Sequence, residues 1–556
     1  MVGLITSQPA LASAGSHFPW LTVLTFLPLA GAIVLAFFPT ANHQLHRRWA
    51  LLVTVVTFVF SVIMAWQFKG GTAGFQLVDR ATWVRTLHFE FFLGVDGISL
   101  FLVLLTTFLM PAGVLISWRI ENQVKYFMLA FLFLETAMIG SFLALDLLLF
   151  FFFFEALLFP MYLIIGGWGS DRRIYAAVKF FLYTMAGSAF LLLGILFLYF
   201  KAGAQFGVPT FDYTLLQHLS LPVSTARWLF LAFFVAFAVK TPLFPLHTWL
   251  PDAHTEAPTA GSLDLAAVVI KVGAYGLIRF NLGLFPEASN FFRTFVMVLA
   301  VIGIIYGAVV ALIQVDLKRL VAYSSVSHMG FVVLGIFALS LQGMSGGVLA
   351  MVNHGLSTGA LFLLVGMLYD RTHTRDLIRL NGLGRILPVY GGVLLFVALS
   401  SIGLPGLNGF VGEFLIILGT FVVSKAFAVA AVTGVVLSAI YMLWGYQRLM
   451  HGPPVIAGGA IDGNGHGGSS ESAGPWAHLK DLELREYFVI LPIMAAILFI
   501  GIYPKPLLSK IEPSAQHVVT CVGDVKAFSR TIVLNPGVFA PGGGYFACIT
   551  PVVRSP

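Results

Sequence analysis

Lys240 and Lys271 stand where lysines are costly. Lys240 closes the apolar run LFLAFFVAFAVK (229–240), and Lys271 lies inside LAAVVIKVGAYGLI (265–278). A charge held in a membrane span costs at least a few kcal/mol, so an ionisable residue kept there marks a functional site by default. Between them runs TPLFPLHTWLPDAHTEAPTAGS (241–262), whose prolines cannot continue a regular helix. The chemistry this pattern points to is the movement of an ion or a proton.

Other ionisable residues fall in the same apolar context. Glu155 ends LDLLLFFFFFE (145–155) and needs a counter-ion among its phenylalanines, for which Lys240 is the candidate. A purely structural ion pair is the competing reading. Lys271 has Asp264 seven residues earlier, two helical turns away on the same face. It lies too far inside its span to snorkel to an interface. Glu413 stands just beyond the break GLPGLNG (403–409), where it can also serve the N-terminus of the second half-helix. His328 (SSVSHMG) and His354 (VNHG) occupy adjacent spans beside Ser or Asn. A lone histidine on an apolar face is usually a hydrogen-bonded core residue, but two such imidazoles favour a relay. Lys179 (YAAVKF) opens a span and either snorkels or tunes Glu155. Glu135 and Asp146, near span ends, are secondary. Asp252, His254 and Glu256 match no metal-ligand spacing and are expected to satisfy backbone groups freed by the break.

These side chains need a membrane scaffold to hold them. The 556 residues are 59% hydrophobic and 10% charged, against roughly 25% charged in soluble domains. The net charge of +7 sits mainly in short loops between apolar runs, so it reports membrane topology rather than nucleic-acid binding. Run lengths predict an all-α membrane protein of about 14 spans. The seventh (226–250) breaks at VKTPLFP and the twelfth (388–423) at GLPGLNG, five spans apart. Paired broken helices point to two inverted repeats, spans 4–8 and 9–13, with the site at the breaks. The expected organisation is three N-terminal spans (1–120), a first repeat (121–285), a second repeat (286–450), a flexible Gly/Ser-rich loop (451–485), a last span (486–506) and an irregular tail (507–556). Loops after odd-numbered spans carry about twice the Lys and Arg of the others, which puts them in the cytoplasm and both termini outside. The N-terminus lacks the basic region of a cleaved signal peptide. Cys521 and Cys548, both in the tail, form neither a metal cluster nor a disulfide framework. The sequence has no CxxC, no P-loop and no GxGxxG opening a βαβ unit, so redox power or a gradient must come from elsewhere.

KTPLFPLHTWLPDAHTEAPTAGS (240–262) and FFFFFEALLFPMYLIIGGWG (150–169) resemble the antiporter-like membrane subunits of respiratory complex I, the NADH:quinone oxidoreductase. LKRLVAYSSVSHMGF (317–331), VNHGLSTGALFLLVG (352–366) and GLPGLNGFVGEF (403–414) extend the resemblance over roughly 90–450. Glu413, where sister subunits carry a lysine, and the lack of a long lateral helix favour the M type, equivalent to the fourth mitochondrial subunit. The resemblance implies a proton-translocating subunit without a redox centre of its own. It implies two neighbouring antiporter-like subunits and the lipid bilayer as partners, with NADH, FMN, Fe–S clusters and quinone held by other subunits. It also implies a bacterial inner-membrane location. Carried onto this sequence, Glu155 and Lys240 become a modulating ion pair, Lys271 the proton-loading lysine, His328 and His354 a hydrated link, and Glu413 the residue at the exit. Asp264 stands where relatives usually carry an apolar residue, as a partner for Lys271. A cation/proton antiporter subunit of the Mrp type is the alternative.

Overall fold

The computed structural model describes residues 18–452 and 479–523. The apolar runs become helices because hydrocarbon leaves no other partner for backbone N–H and C=O groups. Twelve helices among the described residues are long and apolar enough to cross a membrane, and Trp20–Ala36, Pro388–Ile402 and Asn408–Val423 are shorter apolar helices. The apolar stretch of the outer helix His43–Gln67 is one-third buried, whereas the apolar stretches of Thr259–Leu282 and Leu341–Thr372 are fully buried. Those two enclosed helices carry Lys271 and His354.

The first break falls on Pro242 and Pro245, the second on Gly403, Pro405, Gly406 and Gly409. The helix Val223–Lys240 ends at Lys240 and resumes as Trp249–Glu256, and Trp249 Nε1 donates to the freed Val239 carbonyl at 2.9 Å. Span twelve divides into Pro388–Ile402 and Asn408–Val423. A third irregularity has no sequence warning. Lys271 sits on the short α segment Ile270–Gly276, between π-helical Leu265–Val269 and Leu277–Leu282. Each π turn adds a residue to the helix and rotates the turns beyond it, a device common at functional sites.

Four sequence expectations need correction. The helices are joined by an antiparallel hairpin, β1 (Gln76–Val84) and β2 (Phe89–Val95), with Asp79 opposite Leu93 and Thr82 opposite Glu90. It lies on one membrane face, bridging from Leu93 to Ala144. The tail from 507 is irregular in the sequence reading, yet Lys505–Gly523 is an amphipathic helix burying Leu507, Ile511, Ala515, Val518 and Val522. The 451–485 stretch is not free at its end. Asp481 accepts from Val389 N (2.8 Å) and Tyr390 N (3.0 Å), while Arg371 clasps Glu486 at 2.6 Å. Cys521 is disulfide-bonded. The glycine-rich part of the loop, the N-terminal 17 residues and Cys548 lie outside the described residues.

Candidate functional site

Lys271 is fully enclosed, and its Nζ donates to the Ala266 carbonyl in the preceding π segment. The same ammonium lies 2.7 Å from His354 Nδ1. The adjacent Gly355 makes this approach possible, since a Cβ there would meet Ala267 O at 3.0 Å and Leu105 Cδ2 at 2.5 Å. The His354 and His328 rings are edge to face, centroids 5.6 Å apart, and His328 Nδ1 stands 3.2 Å from Glu413 Oε1. Tyr441 Oη, on Lys425–Met450, lies 3.4 Å from His328 Nε2. Four helices thus bring Lys271, His354, His328 and Glu413 into one line. A cavity beside it is lined by His328, His354, Glu413, Asn353, Thr358 and Ser400, among others. Polar walls of this kind suit water.

The first broken helix looks different. Lys240 is buried and its Nζ has no hydrogen-bond partner; it faces the Phe154 ring at 4.8 Å and the Phe180 ring at 5.9 Å. Glu155 Oε1 also lacks a partner. The two side chains lie within electrostatic range, with Ser188 beside Glu155, but form no ion pair in this structure. The expected Glu155–Lys240 pair is therefore open in this structure, with two aromatic rings beside the ammonium. The break still touches the Lys271 helix. A Cβ on Gly273 would lie 2.5 Å from Thr241 Oγ1, so any shift at 241 is felt two residues from Lys271.

Other expected partners are redistributed. Asp264 does not pair with Lys271: the intervening π segment rotates Lys271 away, toward His354, and both Asp264 carboxylate oxygens lack partners. Glu135, equally buried and unpartnered, lies within electrostatic range of Asp264. Lys179 reaches Asp252 at 2.7 Å rather than Glu155, and Arg319 approaches the same carboxylate at 3.5 Å. None of the three D-x-H-x-E side chains accepts from a backbone group freed by the break: Glu256 accepts from Arg172 N, at the start of another helix, at 3.0 Å. Asp252 takes cations instead. The His254 ring stacks on Phe362 at 4.5 Å with both nitrogens unpartnered. Lys318, at the start of its helix and not among the expected site residues, is buried and donates to the Ala257 carbonyl. At the hairpin face Asp146 caps Leu147–Ala156, accepting from Leu148 N and Leu149 N at 3.0 Å each. Burial pushes its carboxyl up to about 7 in spite of these bonds, and the Asp212 carboxylate nearby pushes the same way.

The family model described as NADH:quinone oxidoreductase/Mrp antiporter, TM, matches residues 144–438, which contain both breaks and every residue of the buried line. The subunit M of NADH-quinone oxidoreductase from Rhodobacter capsulatus is 46% identical over 512 residues, 90% of this chain and 96% of the relative. The chain belongs to this family, as a subunit M type member of complex I. The NADH-ubiquinone oxidoreductase chain 4 of Chondrus crispus is 41% identical over 90% of this chain and 97% of that one. Among solved structures, a chain of respiratory complex I from Thermus thermophilus with bound NADH superposes with a TM-score of 0.78 at 32% identity. It covers 90% of this chain and 99% of that one. A chain of the Mrp complex from Dietzia sp. DQ12-45-1b also reaches 0.78, at 20% identity over 90% and 98%, and there the likeness is one of fold. This subunit M type member is a multi-pass membrane protein.

Proposed function

We propose that the chain moves protons across the membrane for an NADH:quinone oxidoreductase, along Lys271, His354, His328 and Glu413, with Glu155 and Lys240 as the gate. The observation that carries this reading is the buried row from Lys271 Nζ to the Glu413 carboxylate, with short polar contacts at both ends and the His354 and His328 rings edge to face between them, beside a cavity that can hold water. Imidazoles between an ammonium and a carboxylate can take a proton on one nitrogen and give it up on the other. Lys240 works on the line by charge. Closing the Glu155–Lys240 pair from about 8 Å to about 4 Å gains roughly 2 kcal/mol at an effective dielectric of 20. Opening it frees the Lys240 charge to repel a proton on Lys271, toward the histidines and Glu413. The open pair, the aromatic lining and the Gly273 contact with the break support this sequence.

The electrons come from partner subunits, where NADH, FMN, Fe–S clusters and quinone are placed; this chain supplies the proton path. Two antiporter-like subunits flank it in a bacterial inner membrane, both termini on the outer side, and spans 4–8 and 9–13 act as the two repeats.

The test is Lys240→Ala in the assembled complex, following NADH oxidation and vesicle acidification together. Acidification per NADH should fall about tenfold or more, a barrier change of at least about 1.4 kcal/mol. Normal acidification rejects the gate.

A further inference from the structure

At the break in span twelve the hydrogen bonds are reciprocal. Asn353, one residue before His354, donates from Nδ2 to the Asn408 carbonyl at 2.6 Å. Asn408 donates from its own Nδ2 to the Asn353 carbonyl at 3.3 Å. The Asn408 Oδ1 accepts from Ser400 Oγ at 2.6 Å and from Ser357 Oγ at 3.2 Å, and those two hydroxyls are 2.7 Å apart. Ser400 belongs to the half-helix before the break, Asn408 opens the half-helix after it, and Asn353 and Ser357 lie on Leu341–Thr372. One buried amide therefore ties together both halves of span twelve and the helix that carries His354.

Glu413 comes little more than a turn after Asn408. Its Oε2 packs on Gly403, where φ is +84° and a Cβ would come within 2.6 Å of the carboxylate. Asn353 Oδ1 and Thr358 Oγ1, both buried and without partners, belong to residues that line the same cavity as His354, His328 and Glu413. Neither asparagine titrates near physiological pH, so neither can carry the proton. Their bonds fix the distance that a proton or a bridging water must cover between His354 and Glu413.

We propose that Asn353 and Asn408 form a positioning clamp that sets the His354–His328–Glu413 geometry, so that span twelve rearranges at its break only when this pair releases. The clamp rests on the proton-path reading above. With it closed, His354 and Glu413 are held as one unit. With it released, Glu413 moves with its half-helix and the 3.2 Å contact to His328 is lost.

The test uses the assembled complex in inverted vesicles with Asn353→Ala, Asn408→Ala, the double variant, Ser357→Ala and Glu413→Ala. Signals are normalised to assembled complex. Each asparagine variant should lower acidification per NADH about tenfold, as a displacement of about 1 Å can. The double variant should be no worse than either single one, because residues acting as one device are not additive. The pH profile of acidification should move, while NADH oxidation measured with an ionophore keeps its own. Ser357→Ala, which spares the reciprocal pair, should keep the wild-type profile. If Asn408→Ala does not assemble, Asn353→Ser, which leaves Ser400 and Ser357 bonded to Asn408, carries the test. Losses that multiply, or a pH profile unchanged in the asparagine variants, overturn the clamp. Normal acidification in Glu413→Ala overturns the path and the clamp together. Loss in Glu413→Ala with wild-type behaviour in the asparagine variants overturns the clamp alone.

Discussion

The two broken helices carry the same kind of residue and treat it in opposite ways. At the second, Glu413 meets His328, and the line continues through His354 to Lys271 beside a cavity whose walls include Asn353, Thr358 and Ser400. At the first, Lys240 faces two phenylalanine rings and Glu155 stands apart from it. One break is connected and polar, the other apolar and disconnected. A wire and its switch would differ in this way: the wire needs continuous contacts, while the switch needs an interaction that can be made and broken. A buried pair that never opened would be structural, as Asp96 and Arg279 are at 2.6 Å.

The contrast can be broken most sharply on the connected side. His354→Ala or His328→Ala should lower acidification per NADH about tenfold, with the double variant no worse than the singles. Multiplicative losses in vesicle assays would show two routes instead of one line. On the disconnected side, Glu155→Gln should cost about fivefold in acidification, equivalent to about 1 kcal/mol of gating energy. It should leave the thermal stability of the complex unchanged, since no closed pair is lost. Arg279→Met supplies the converse, about 3–5 kcal/mol of stability removed by breaking a closed buried pair. A scan of thermal unfolding on both variants separates switch from strut.

Asp146 lies outside both breaks and bears on stability rather than on acidification. Its carboxyl titrates at about 7 in the fold, above its ordinary value, so the folded chain holds that proton more tightly than the unfolded one. The stability it contributes is present at low pH and lost as pH rises from the usual carboxylate range through about 7. Asp146→Asn should therefore flatten the fall in unfolding temperature between about pH 5 and pH 8. An unchanged fall assigns it to other groups.

Much of this was legible in the residues. Lys240, Lys271 and Glu413 stand out because charge is expensive in apolar runs, and the breaks are marked by Pro at the first and by Pro and Gly at the second. The histidine link was legible as two imidazoles on neighbouring spans, although their order of contact was not. The π segments around Lys271 have no compositional mark, and the one at Leu265–Val269 changes the register between Asp264 and Lys271, whose pairing heptad spacing predicts. Lys179 chose Asp252 because the resumed helix Trp249–Glu256 presents that carboxylate, a position fixed by how the break folds back. Lys318 and Tyr441 looked ordinary, one at a span end and one in an apolar run. The hairpin was hidden among spans by its length, and the last helix by Pro506 and Pro513.

The most direct measurement places Lys271→Ala in the assembled complex and follows NADH oxidation and lumen acidification in the same vesicles. Acidification per NADH should fall at least about tenfold while the complex still assembles. Acidification at the wild-type level would contradict the Lys271–His354–His328–Glu413 line, and a collapse confined to Na⁺-driven ΔpH would replace it with an Mrp-type antiporter.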